Sequence, residues 1–365
     1  MSAEHHYVFT ALRGVQAGRE YYVTMCLLRL LPKLFIFDEE ELAPELRAQR
    51  TLNRARIPDL VRYVVGNPHD YVFSSITASI DRMVHFQPFD DGTRHPRVGR
   101  LFVPLASRFI INDGQHRRAA IEEALRERPE LGDETISVVL FIDAGLKSTQ
   151  QMFADLNRHA IRPTRSIGVL YDHRDPVSQL ARRLVDVVPV FQGLTELEKT
   201  SISNRSRKLF TLSSVYLATQ RLLRKSKSSS VSEQEAQLAI DFWTEIGRNI
   251  SDWQAAVKRT VTPSELRRDY IHAHAVALQA LAHVGSDIIA SNPERWKQSL
   301  RGLKKLDWSR SNIQLWEGRA LLNGRISKTQ SSVQLTANVI KTTLGISLTS
   351  HDRQIEDEHA KNSRT

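Results

Sequence analysis

Cysteine is almost missing from this 365-residue chain: Cys26 stands alone. One thiol forms no intrachain disulfide, and a thiolate-rich metal site is excluded. Cys26 lies in the apolar run Val23–Leu28, where a small buried hydrophobe is the expected role rather than a reactive thiol. Long hydrophobic runs are missing too. The most apolar stretch, Met25–Phe37, is interrupted by Arg29, Pro32 and Lys33, too short and too charged to span a bilayer. Met1–Thr10 has no basic segment leading into an apolar one, so a soluble cytoplasmic protein without a secretory signal is expected. Glycine and proline are few (16 and 13), which argues for an ordinary globular chain, and the length supports two domains with separate cores. Acidic residues are outnumbered, 41 Asp and Glu against 51 Lys and Arg, for a net charge of +10. That sign favours a polyanionic partner, although a generic basic surface gives the same number.

In the first half, extended runs around Ala17-Gly18 read as a hairpin over Tyr7–Cys26. Glu39–Asn53 reads as a charged helix. Ile57, Leu60, Val61, Val64 and Val65 place one apolar face on a second helix that stops at Gly66-Asn67-Pro68. Strands are expected at Val72–Ile80, Val98–Pro104, Phe109–Asn112 and Ile136–Ile142, the last apolar enough to be buried on both faces. A turn is expected at Asp90–Thr93 and helices at Gln115–Arg128 and Ser148–Arg158. From about Leu194 helical periodicity takes over. Helices are expected around Leu209–Leu223, Ala236–Trp253 and Ser264–Val284, with a low-complexity loop at Lys225–Ser230. The expected organisation is an α/β domain over 1–193, an all-α basic domain over 194–348 and a disordered tail over 349–365.

One segment stands out: Arg108-Phe-Ile-Ile-Asn-Asp-Gly-Gln-His-Arg-Arg118. A β-branched run stops at Asp113-Gly114, and a helix begins with Gln115, His116, Arg117 and Arg118 in its first turn. Cations there oppose the positive end of the helix dipole, and a fold needing only a turn would place Asp or Glu instead. An anion among the free backbone N–H groups would resolve the conflict, and phosphate is the obvious one. Asp113 would fix the turn, Gly114 would allow positive φ and a close ligand approach, and His116 and Arg117 would donate to phosphate oxygens. The plainer alternative sends Arg117 and Arg118 to solvent or to Glu122. No Gly-x-x-x-x-Gly-Lys-Ser/Thr loop is present. Arg158, Arg162 and Arg165, with Asn157 beside them, form a second cationic group that either faces the same phosphate or a nucleic-acid backbone, or suits a helix C-terminus.

Asp172-His173-Arg174-Asp175 resembles an acid/base pair on paper, but Asp175-Pro176 reads better as a helix cap followed by Pro at the first helical position. His272 and His274, at spacing two, fall on different faces of a helix and are poor joint metal ligands. Between Arg295 and Lys341 ten Lys and Arg face only Asp307 and Glu317. Arg205, Arg207, Lys208, Arg224, Lys225, Lys304, Lys305, Arg310, Arg319, Arg325 and Lys328 are the candidate contacts to a DNA backbone. Trp296, Trp308 and Trp316 among them read as core anchors.

Asp113–Arg117 is the motif that names the DGQHR proteins, and the chain resembles the DndB family of the DNA phosphorothioation (sulfur modification) system. Met152–Arg158, Ser166–Asp175, Asp307–Arg310 and Leu315–Gly318 carry the resemblance along most of the chain. More loosely, the first half resembles the ParB/sulfiredoxin-like nucleotide-binding fold. The resemblance implies a DNA-binding repressor of the modification gene cluster rather than a sulfur-transfer enzyme, and a single cysteine agrees with that. It implies double-stranded promoter DNA as the partner, with other modification proteins as further partners. Repressors of palindromic sites are often dimers, which would make this chain a homodimer, although no heptad marks a dimer helix. No cofactor or metal is demanded. The alternative reading is a ParB-like nucleotide hydrolase or DNA-nicking enzyme with His116 as acid/base and Asp113 or Asp172 holding Mg²⁺ beside a nucleotide.

Overall fold

The computed structural model describes residues 5–35, 54–89, 96–142 and 163–362. The architecture is mixed α/β, with a seven-stranded sheet in the first half and most of the helix in the second. Contacts divide the chain into two units, Met1–Ile161 and Arg162–Thr365.

The first unit opens on the expected hairpin, β1 (His6–Gln16) against β2 (Arg19–Leu27). Ala17 and Gly18 form its two-residue turn, both at positive φ (52° and 74°), the twist that suits tight hairpins. The sheet is completed by β3 (Ile76–Ile80), β4 (His85–Pro88), β5 (Val98–Pro104), β6 (Phe109–Asp113) and β7 (Thr135–Ile142), in the order β4-β5-β1-β2-β7-β3-β6. Only the β3–β7 pairing is parallel. β7 is not buried on both faces as its composition suggests. It alternates, with Ile136, Val138 and Leu140 at 5 % exposure or less and their neighbours more open. Helices α1 (Leu31–Leu34), α2 (Ile57–Gly66) and α3 (Gln115–Glu127) pack Leu31, Val61, Val64, Ala120, Ile121 and Ala124 into the core that those three β7 residues enter. Cys26 lies in that core, and burial pushes its thiol up to about 11, so it is no thiolate at neutral pH. The expected helices at Glu39–Asn53 and Ser148–Arg158 and the turn at Asp90–Thr93 lie outside the described residues.

The second unit is helical: α4 (Arg165–Tyr171), α5 (Pro176–Val187), α6 (Leu212–Leu223), α7 (Glu233–Asn249), α8 (Ser251–Val257), α9 (Pro263–Asp269), α10 (Ala275–Ser291), α11 (Trp296–Ser299), α12 (Ile313–Trp316), α13 (Gln330–Thr343) and α14 (Ser350–Asn362). Two short ribbons, Thr195–Glu196 with Phe210–Thr211 and Leu321–Leu322 with Arg325–Ile326, qualify the all-α expectation. Trp243, Trp253 and Trp316 are fully buried, and Trp296 and Trp308 nearly so; the tryptophans are core anchors.

Two expected boundaries move. The units divide at 161/162 rather than 193/194, because α4 and α5 place Val169, Val177, Leu180, Ala181 and Leu184 in one core with Leu212, Phe242 and Trp243. The expected disordered tail is helical over Ser350–Asn362. What holds it is polar rather than apolar, so hydrophobic periodicity gave no sign of it. Asp352 is buried against Lys341, and Glu356 accepts both guanidinium nitrogens of Arg319 at 2.7 and 2.6 Å.

Candidate functional site

The DGQHR segment forms the strand–turn–helix its sequence predicts. β6 ends at Asp113, Gly114 turns the chain at φ 110°, and α3 starts at Gln115 with no side chain capping its first turn. Gly114 is required on two counts. Its φ is in the region glycine adopts freely, and a Cβ would sit 3.0 Å from Ile76 Cγ1 and 3.3 Å from the Arg117 guanidinium.

The two arginines find their anions inside the protein. Arg117, with its side chain 14 % exposed, donates to Asp113 Oδ2 at 2.6 Å, to the Ser74 carbonyl at 2.9 Å and to the Ser74 hydroxyl. Arg118 pairs with Glu122 at 2.7 Å and donates to the Pro32 carbonyl at 3.3 Å. Asp113 and Glu122 thus supply carboxylates beside these cations, while Arg118 Nε is buried with no hydrogen-bond partner among the described residues. Gln115 is buried and donates to the Ile111 carbonyl at 3.4 Å. Asn112, just before the motif, is fully buried and donates to Ser79 Oγ at 2.7 Å. The half-buried His116 has its pKa lowered, chiefly by burial and then by the charges of Arg56 and Arg117, against an opposing pull from Asp113. Arg56 and Ser74 belong to this neighbourhood and were not legible from the sequence. Asn157, Arg158 and Arg162 lie outside the described residues.

In the second unit, Asp175 is the cap of α5. Its Oδ2 accepts from the Ser178 N–H at 3.2 Å and hydroxyl at 2.7 Å, and its Oδ1 accepts from the Ser228 N–H at 2.9 Å. Asp175 is 2 % exposed, and burial alone would raise its carboxyl; these donors outweigh burial and hold it below the usual range. Asp175→Ala removes a helix cap and strands a buried N–H, so thermal unfolding should show a loss of about 2–3 kcal/mol. Asp172 Oδ1 accepts from the Arg174 and Asp175 N–H groups, a turn-forming role, and His173 is exposed. His272 is buried between Asp252 (2.9 Å) and the Trp253 indole N–H (3.1 Å), whereas His274 contacts the Arg267 carbonyl at 2.8 Å. The two imidazoles therefore serve different partners.

The candidate DNA contacts separate by partner. Arg224 pairs with Asp287, Lys225 with Glu235 and Arg319 with Glu356, so their charges are met internally. Lys208 Nζ donates to the Gly193 carbonyl, and Arg310 donates to the carbonyls of Arg267, Arg268 and Gly324. Arg205, Arg207, Lys304, Lys305, Arg325 and Lys328 are exposed and have no carboxylate partner among the described residues. Arg205 and Arg207 line a groove of about 770 Å³ with Arg259, and the lining holds no Asp or Glu. Across Ser264 a second pocket, of about 390 Å³, is lined by Arg267, Arg268, Arg310 and Lys328, again without a carboxylate. Arg259, Arg267 and Arg268 were missed in the sequence, where short runs of arginine are indistinguishable from a solvated helix end.

A comparison with protein-family models matches residues 9–347 to the DndB family, described as DNA-sulfur modification-associated. The chain belongs to the DndB family. The match runs from β1 to just past α13, so the family pattern includes both units and only α14 lies beyond it. Membership associates the chain with DNA sulfur modification. No curated protein and no solved structure matches the chain.

Several of the segments that carry the DndB-family resemblance hold the second unit together. Ser166 is buried and donates to the Lys199 carbonyl at 2.9 Å. Trp308 and Trp316 stack with ring centroids 5.6 Å apart, and the Trp316 indole donates to the Asp307 carbonyl at 3.0 Å. Among the described residues no His, Cys, Asp or Glu cluster has the makings of a metal site, and no helix is long and apolar enough to cross a membrane.

Proposed function

We propose that this chain is a DNA-binding regulator, a repressor of a DNA sulfur-modification gene cluster, that grips duplex DNA through its second unit. One observation carries the reading: Arg205, Arg207 and Arg259 line a single acid-free groove, without carboxylate partners among the described residues. Three exposed cations along one groove repel one another, and an anion of matching charge density lying against them relieves that repulsion. A DNA backbone supplies charges at that density, and releasing its condensed counterions drives binding. Lys304, Lys305, Arg325 and Lys328 are further exposed cations on the same unit. Family membership supplies the process and the groove supplies the mode of contact. The DGQHR turn takes a structural part in this reading, because Arg117 ties β6 and α3 to Ser74.

Fluorescence-anisotropy titration of the region upstream of the modification genes tests it across a salt series. Binding should weaken steeply with salt, and Arg205→Ala with Arg207→Ala should lower the logarithmic salt slope by about 2 and weaken all duplexes alike. In cells, deleting the gene should raise expression from that upstream region. A flat salt dependence, or a reporter indifferent to the deletion, refutes the regulator.

A further inference from the structure

The pocket across Ser264 holds a charge problem that the groove does not. Arg267 is only 9 % exposed, yet no carboxylate pairs with it among the described residues. Its guanidinium is spent on carbonyls, those of Ser203 (2.9 Å), Asn204 (3.2 Å), Ser206 (3.1 Å) and Lys208. Arg310, in the same lining, donates its hydrogen bonds to carbonyls, with Asp269 within electrostatic reach. Lys328 is exposed with no ion-pair partner among the described residues, and Arg268 pairs with Asp269 at 2.8 Å. Carbonyls satisfy the N–H donors but leave the positive charge uncompensated, and an uncompensated charge at this depth is costly. Hydroxyls of Thr200 and Ser201 stand in the same lining as neutral donors. Four cations, hydroxyl donors and no carboxylate in about 390 Å³ match an oxyanion carrying more than one acceptor oxygen.

We infer that this pocket binds a phosphate-type oxyanion, with Arg310, Lys328 and Arg268 at its mouth and the charge of Arg267 behind it. The same chemistry is offered by a free phosphate ester and by a backbone phosphate of DNA. The inference rests on the DNA-binding reading only for the second source.

Calorimetric titration of the full chain with inorganic pyrophosphate, and in parallel with a short duplex, separates the sources. Lys328→Met is the main variant, since Lys328 is exposed and holds no other group; Arg310→Met is the second. Saturable pyrophosphate binding, weakened about tenfold or more in Lys328→Met and unchanged in Lys33→Met of the first unit, supports the pocket with a free phosphate ester as ligand. Pyrophosphate binding without duplex binding retires the DNA reading and keeps the pocket. No pyrophosphate binding, with duplex affinity lowered about tenfold in Lys328→Met, assigns the pocket to a DNA phosphate. If neither titration changes in Lys328→Met and Arg310→Met, the inference is wrong.

Discussion

Lys341→Met should destabilise the second unit by about 3–5 kcal/mol, the range expected when one member of a buried ion pair is removed. Lys341 Nζ lies 2.9 Å from Asp352 and 2.8 Å from Asp287, and the Lys341 and Asp352 side chains are each 3 % exposed. Asp352 also accepts from Gln334 at 2.7 Å and from the Thr349 N–H at 3.0 Å, so it anchors the start of α14 on α13. Burial alone would raise its carboxyl, but the Lys341 ammonium and the Thr349 donors outweigh burial and hold it at about 2. A carboxyl lowered by folding contributes stability above its ordinary value of 3.8, and that contribution is lost as the pH falls through about 2. The parent protein should therefore loosen at α14 between about pH 4 and pH 2. In Lys341→Met the sign reverses. The buried carboxyl is then raised, and mild acidification stabilises the variant by protonating it. All five tryptophans lie between residues 243 and 316, so their fluorescence reports the second unit alone. Urea midpoints at pH 7 and pH 5 should converge between parent and variant as the pH falls. Equal midpoints at both values would show that the Lys341 ion pairs hold nothing.

Gly114→Val should cost the first unit about 2–4 kcal/mol. About 1–2 kcal/mol comes from forcing a branched residue to φ 110°, and the rest from driving Cβ into Ile76 and the Arg117 guanidinium. Gly114→Ala should cost less, since it meets the same φ with fewer atoms. Cys26 is the natural probe, as the sole thiol and 3 % exposed in the first unit's core. A loss of about 3 kcal/mol raises the open population, and so the rate of thiol labelling, roughly a hundredfold. The tryptophan transition gives the second unit's own response. Parent-like labelling in Gly114→Val would mean that the turn accommodates a side chain and that its glycine is not a backbone requirement.

Local chemistry was legible along the chain. The Ala17-Gly18 turn, the Asp175-Pro176 helix start and the strand–turn–helix at Gly114 each depend on residues within a few positions of one another. Partner choice was not. Arg117 finds Ser74, 43 positions earlier, and Arg118 finds the Pro32 carbonyl, 86 positions earlier. Arg224 and Arg319 count as free cations in the sequence, yet Asp287 and Glu356 meet them across 63 and 37 positions. The sequence also placed the unit boundary about thirty residues late, because α5 reads identically whichever core receives its apolar face.

The sequence by itself determined the class of the molecule and its family. One cysteine, a cationic excess, helical periodicity after the strands and an ordered set of motifs are properties of composition and spacing, and they survive without coordinates. Only the tertiary structure decided which charges remain available. Folding brings Asp113, Glu122, Asp287 and Glu356 onto some arginines and leaves Arg205, Arg207, Arg259 and Arg267 with no carboxylate among the described residues. Pairing depends on separations of a few ångströms between residues far apart in the chain, a distance that residue order does not encode locally.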